Sequence, residues 1–114
     1  MNFPVRVLRR ADREVEATLH FIAEEQEAPE GAQKWYRAYE AALERLAKAA
    51  KTLPLAPEDE FVDYEVRQIL FRTKTGRTYR GLFTVVGDEV RLLHVRGPGQ
   101  DLMTGKTLGR PNDR

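Results

Sequence analysis

The sequence predicts an α+β domain in which a hairpin of two helices packs on one face of a four-stranded, mainly antiparallel sheet, in the order β-α-α-β-β-β. Three observations carry this. Between Val66 and Arg96 lie three short apolar runs rich in Val, Ile, Leu, Phe and Tyr, separated by two polar, glycine-bearing joints, which is the pattern of consecutive strands. Joints that short permit only antiparallel neighbours. Ahead of them stand two segments with apolar residues at helical spacing and a very short joint, which fold as an antiparallel helical hairpin. A chain of 114 residues has room for one core and no second domain, so the apolar faces of the hairpin must be buried on the sheet.

Taken in order, Phe3 to Leu8 alternates loosely and stops at Arg9-Arg10, a short strand that Pro4 places at or near a sheet edge. Asp12 stands where a helix N-cap belongs, and Glu14 and Glu16 in the first turn suit the helix dipole. Val15, Leu19, Ile22 and Ala23 then recur at helical spacing, so the first helix is expected from Asp12 to Gln26. Ala28-Pro29-Glu30 breaks it and starts the second, with Pro29 in the first turn, where its missing N–H costs nothing. Trp35, Tyr39, Leu43, Leu46 and Ala50 line one face of that helix as packing residues, as far as Lys51. Leu53-Pro54-Leu55-Ala56-Pro57 ends it. Glu58-Asp59-Glu60 reads as a solvated acidic loop.

The meander follows, its hairpins closed by Lys74-Thr75-Gly76 and by Gly87-Asp88. Beyond Arg96 the chain turns to Gly, Pro, Thr, Asn and Asp, with only Leu102, Met103 and Leu108 apolar. Residues 3–96 are therefore expected to make the domain. Residues 97–114 are expected to form a tail that adds little core and is partly flexible or docked on a partner.

Composition narrows the chemistry. No apolar run approaches the ~20 residues of a membrane span, and the first residues lack the layout of a signal peptide, so a cytoplasmic protein with no membrane partner is expected. The absence of cysteine rules out disulfides, thiolate catalysis and Cys-based zinc sites. Two histidines far apart in sequence predict no metal site, and no cofactor motif is present. The net charge of +1 hides two halves. Val66 to Arg96 carries seven Lys or Arg against two acids, whereas Asp12 to Glu65 carries six against fourteen.

Clustered arginine grips phosphate bidentately and is the usual footprint of nucleic acid, although it serves an acidic peptide or the chain's own acidic residues equally well. Along the first meander strand Arg67, Ile69 and Phe71 share a side. Alternation sets Arg80 with Leu82 and Thr84, and Arg91 with Leu93 and Val95, leaving His94 with Arg96. Neither face is purely polar, so alternation does not fix which side each arginine takes. His94 is a candidate general acid or base as well as a candidate core histidine; His20 reads as structural. Tyr79 beside Arg80 suits stacking on a base or orienting a phosphate, and equally suits packing.

In this order and spacing, Leu53–Glu58 (LPLAPE), Glu65–Phe71 (EVRQILF), Tyr79–Val85 (YRGLFTV) and Gly87–Arg96 (GDEVRLLHVR) resemble the RelE/ParE superfamily, the toxin half of type II toxin–antitoxin pairs. Ala11-Asp12 fits as well, and the likeness runs from residue 3 to 97. It implies the β-α-α-β-β-β fold and a cognate antitoxin whose C-terminal segment wraps over the toxin in a hetero-oligomer. It also implies one of two activities. RelE-like members are metal-independent endoribonucleases that cut messenger RNA on the ribosome with a cluster of Arg, Lys and a C-terminal Tyr. ParE-like members inhibit DNA gyrase and carry no nuclease site.

Carried over residue by residue, Arg67 and Arg80 match the basic residues of the nuclease pattern. The remaining lysine position falls on Glu65, the C-terminal arginine on Gln100 and the tyrosine on Lys106. Half of the nuclease set is thus missing, and the LLHVR ending is closer to the ParE side. The expected function is a ParE-like toxin. The alternatives are a RelE-like nuclease and a non-toxic basic module that binds a peptide or nucleic acid. For a nuclease the catalytic candidates are Arg67, Arg80, His94 and Arg96; the binding candidates are Arg72, Lys74, Arg77, Tyr79 and Arg91.

Overall fold

The computed structural model describes residues 2–114, and its elements follow the expected order. Strands β1 (Val5–Val7), β2 (Arg67–Phe71), β3 (Tyr79–Val86) and β4 (Glu89–Arg96) form one sheet in the order β1-β4-β3-β2. The last three are an antiparallel meander, and β1 lies parallel to β4 at the sheet edge, Val5 opposite Val90. Parallel pairing needs a long connection between the two strands, and the helices and two meander strands supply it. Gly87, at φ +61° in the β3–β4 turn, takes the left-handed conformation that a two-residue hairpin turn asks of glycine.

Helix α1 (Arg9–His20) starts three residues ahead of the expected Asp12 cap. Leu8 is its N-cap, and Asp12 lies in the first turn, where its charge still favours the dipole. Past His20 the backbone widens into a π-type turn, Phe21–Glu25, with the Gln26 N–H on the Phe21 carbonyl. Helix α2 (Pro29–Ala49) begins on Pro29 as expected. It buries Ala32, Trp35, Tyr39, Ala42 and Leu46, three and four residues apart, the stripe a helix turns to its core. Together with Ala11, Val15 and the inner residues of the sheet, the stripe from Trp35 to Leu46 forms the larger core. Trp35 stands at its centre, 5.8 Å from the Tyr39 ring and 5.2 Å from Tyr79.

The other face of the sheet is covered too, which corrects the expectation for the tail. Leu8, Ala56, Val66, Leu82, Leu93, Met103 and Leu108 form a second core there. After β4 the chain returns across the sheet as a strap that includes the short helix α3 (Gly105–Leu108), capped reciprocally by Thr104 and Thr107. Met103 is nearly buried and Leu108 fully so. Few apolar residues suffice because Leu82 and Leu93 already project from the strands, and a sheet apolar on both faces needs cover on both. The strap docks on its own chain.

A β-bulge shapes β4. Leu82 faces His94 and Phe83 faces Leu92, so Leu93 is the extra residue. The bulge reverses the side-chain parity of β4. Leu92 and Val95 both pack toward the helices, while Leu93 and His94 lie on the strap side.

Candidate functional site: a sealed basic face and an open basic loop

Sheet pairing puts Arg80, Arg91, His94 and Arg96 on the strap side with Leu82 and Leu93. Arg67 lies on the opposite side, paired with Phe83. The sheet therefore separates Arg67 from Arg80, the two arginines singled out from the sequence. Arg67 donates through Nη1 to the Leu53 carbonyl and through Nε to Glu65 at 2.7 Å.

On the strap side each cationic candidate is engaged within the chain. Arg80 donates from Nη2 to Glu58 Oε2 at 2.8 Å and from Nη1 to Glu58 Oε1 at 3.0 Å, with Gln68 Oε1 also 3.0 Å from Nη1. Glu58 is 0% exposed and accepts a further hydrogen bond from the Met103 N–H. The acidic stretch is therefore not the solvated loop expected of it. Pro57–Phe61 forms a 3₁₀ turn that tucks Glu58 under the sheet, because Arg80 needs a counter-charge there. Burial alone would raise the Glu58 carboxyl, but the hydrogen bonds from Arg80 and Met103 outweigh it and hold the group below the usual carboxylate range.

Arg91 donates to Glu89 at 2.8 Å and to the Pro111 carbonyl at 2.8 Å, and Arg96 to the Asp101 carbonyl at 2.9 Å. His94 is 4% exposed and bridges Glu14 to the Leu108 carbonyl. Glu14 was missed from the sequence, although the signal was there. It follows Ala11 by three positions and precedes Val15, both buried, so it lies on the rim of the α1 apolar stripe. Glu58 carried no such signal. His20 is an exposed surface residue.

The β2–β3 connection is the opposite case. Phe71 and Tyr79 are the last paired residues, so a seven-residue loop carries Arg72, Lys74 and Arg77. All three are exposed, and among the described residues none forms an ion pair. Thr73, Gly76, Arg77 and Tyr79 form one wall of a groove of about 830 Å³ whose other wall includes Phe21 and Ile22. Phe21 is 45% exposed. Trp35 also lines this groove, and its buried Nε1 has no hydrogen-bond partner among the described residues. Burial raises the Tyr79 phenol above its ordinary value, against an opposing pull from Arg77. Among the described residues no group of three or more His, Asp or Glu is placed to hold a metal ion, and no helix is long and apolar enough to cross a membrane.

The helical hairpin on a four-stranded mixed sheet, with its parallel N-terminal edge strand, is a RelE/ParE-like fold. A solved structure with this fold is a chain described as the chromosomal ParDE TA system from P. aeruginosa. It matches with a TM-score of 0.62 at 20% sequence identity, over 82% of this chain and 94% of that one. No protein-family model matches the chain, and neither does any curated protein.

Proposed function

We propose that this chain is a ParE-like toxin: the toxin half of a type II toxin–antitoxin pair, acting on DNA gyrase by binding and neutralised by a cognate antitoxin. The fold likeness to a chain of a ParDE toxin–antitoxin system supports the class. One observation carries the choice between its two activities. Arg80, the strand arginine that a nuclease would aim at phosphate, is held bidentately by a fully buried Glu58. An arginine neutralised in this way, under a strap of its own chain, is not poised to stabilise a developing phosphorane. Arg67 lies beyond reach on the other side of the sheet. Of the exposed loop cations, Arg77 lines a largely apolar groove, with Arg72 and Lys74 on the same loop, rather than surrounding a reacting phosphate, an arrangement suited to gripping a protein.

Purified chain is to be assayed in parallel for inhibition of gyrase supercoiling and for ribosome-dependent cleavage of messenger RNA. Supercoiling is expected to fall with RNA left intact, and the antitoxin is expected to restore it. RNA cleavage with gyrase untouched would overturn the reading in favour of the nuclease. Activity in neither assay, with no effect of the chain on growth, would leave a basic binding module.

A further inference from the structure

We propose that His94 is a proton-operated latch that fastens the C-terminal strap, residues 97–114, across the sheet. The ring is almost wholly buried, and each nitrogen faces an oxygen. Nδ1 lies 3.0 and 3.2 Å from the two Glu14 carboxylate oxygens, and Nε2 lies 3.0 Å from the Leu108 carbonyl. Carboxylates and carbonyls only accept, so both contacts are hydrogen bonds only when the ring carries both protons. A neutral ring has one proton to give. Kept on Nδ1, it preserves the charge-assisted bond to Glu14 and turns the Nε2 lone pair on the Leu108 carbonyl. Moved to Nε2, it would set a lone pair against a carboxylate, the worse repulsion. Glu14 is itself pinned, accepting the Val95 N–H at 3.0 Å. The proton that leaves is therefore the one facing the strap.

The surrounding charges do not duplicate this role. Glu14 faces the ring from α1, and Arg10, also on α1, pairs with Asp113 at 2.9 Å. Arg6 on β1 donates to the Asp113 carbonyl, and Tyr64, ahead of β2, donates to the Gly109 carbonyl at 2.5 Å. On its own strand, Arg91 and Arg96 reach the Pro111 and Asp101 carbonyls. Of these groups only Glu14 bonds the ring. Glu58, which accepts the Met103 N–H of the strap, is held below its ordinary range against the effect of burial by its bonds to Arg80 and Met103, and Asp113 by the Arg110 N–H and by Arg10, so both fastenings are lost as pH falls. Burial raises the Tyr64 phenol, so it keeps its proton further into alkali than a free tyrosine. Histidine is the side chain whose charge changes nearest neutrality, and His94 is the histidine that bonds the strap.

The strap opens as a local equilibrium, with Met103 and Leu108 resisting. Its lifted share rises as pH rises, by up to about tenfold per pH unit for a one-proton step. Lifting uncovers Leu82 and Leu93 and frees the Arg91 and Arg96 contacts to the strap.

The test is methyl NMR on the full chain labelled at methionine, with the Met103 methyl reporting burial of the strap while pH is raised. The Met103 signal is expected to move toward its solvent-exposed position together with the His94 ring resonances. His94→Gln is expected to abolish that movement, and Glu14→Gln to shift it to lower pH, since a neutral amide no longer favours the charged ring. A Met103 methyl that stays put while the His94 ring titrates would overturn the latch. So would the same transition persisting in H94Q, or an unmoved midpoint in E14Q.

Discussion

The strap side of the sheet and the β2–β3 loop carry the same kind of side chain in opposite circumstances. On the strap side Arg80, Arg91 and Arg96 are each bonded within the chain, and Arg80 has a carboxylate partner with no solvent exposure. On the loop Arg72, Lys74 and Arg77 are exposed and form no ion pair among the described residues. Counting charge along Val66 to Arg96 treats these sets alike; geometry does not. A guanidinium bound at both ends to a buried carboxylate is part of the fold, whereas the loop cations are exposed and available to a partner.

That distinction breaks most readily at Arg80. Arg80→Ala leaves the Glu58 carboxylate buried without its counter-charge, which is expected to cost about 3–5 kcal/mol in urea unfolding. Replacing both partners with apolar residues, Glu58→Leu with Arg80→Met, is expected to recover most of that loss, because the penalty comes from the orphaned charge. A cost under about 1 kcal/mol for R80A would mean that the pair is not structural, and the strap side would again be open to the nuclease reading.

Leu108→Ala examines the strap itself. Leu108 is fully buried against Leu8, Leu82 and Leu93, and truncating such a side chain costs about 2–5 kcal/mol. An effect near zero would return residues 97–114 to the status of a loosely attached tail.

The sequence made the elements legible and left the faces obscure. Val66 to Arg96 announced three strands because apolar runs and glycine joints are local signals, and Pro29 marked the start of α2 for the same reason. The direction of each arginine could not be read, because period-2 alternation is informative only when one face is solvated. Here the helices cover one face and the strap the other. The bulge at Leu93 then breaks the alternation outright, so that His94 lies with Arg80 rather than with Val90 and Leu92. Glu58 was obscure for another reason. An acid in a Pro-Glu-Asp-Glu stretch looks solvated, and only the tertiary position of Arg80, twenty-two residues on, makes it a buried ligand. The tail misled because a segment with three apolar residues is a weak core former in isolation and an adequate cover for a sheet already apolar beneath it.

Acid is a milder probe of the same pair. The folded-state Glu58 carboxyl is held below its unfolded value. The stability it contributes is therefore complete above the ordinary carboxylate range and lost as pH falls through the folded value. Urea midpoints are expected to drop on acidification, with a shallower drop in Glu58→Gln. Identical profiles for the two proteins would remove Glu58 from the acid response.

The smallest expected effect on stability belongs to the loop, and it is the most informative for function. Arg72→Ala, Lys74→Ala and Arg77→Ala remove solvated side chains that contribute no ion pair, so each is expected to change stability by no more than about 0.5 kcal/mol. On the proposed toxin reading, the combined variant is expected to abolish growth inhibition and to weaken target binding, most visibly at low salt, where unscreened surface charge acts over the longest range. Arg80→Ala also lowers activity in such an assay, through loss of folded protein, and a melting curve separates the two causes. Should the triple variant fold normally and remain fully toxic, free charge on the loop would not be what the target reads. The apolar groove wall at Phe21 would then be the next surface to test, with Phe21→Ala losing toxicity at unchanged stability.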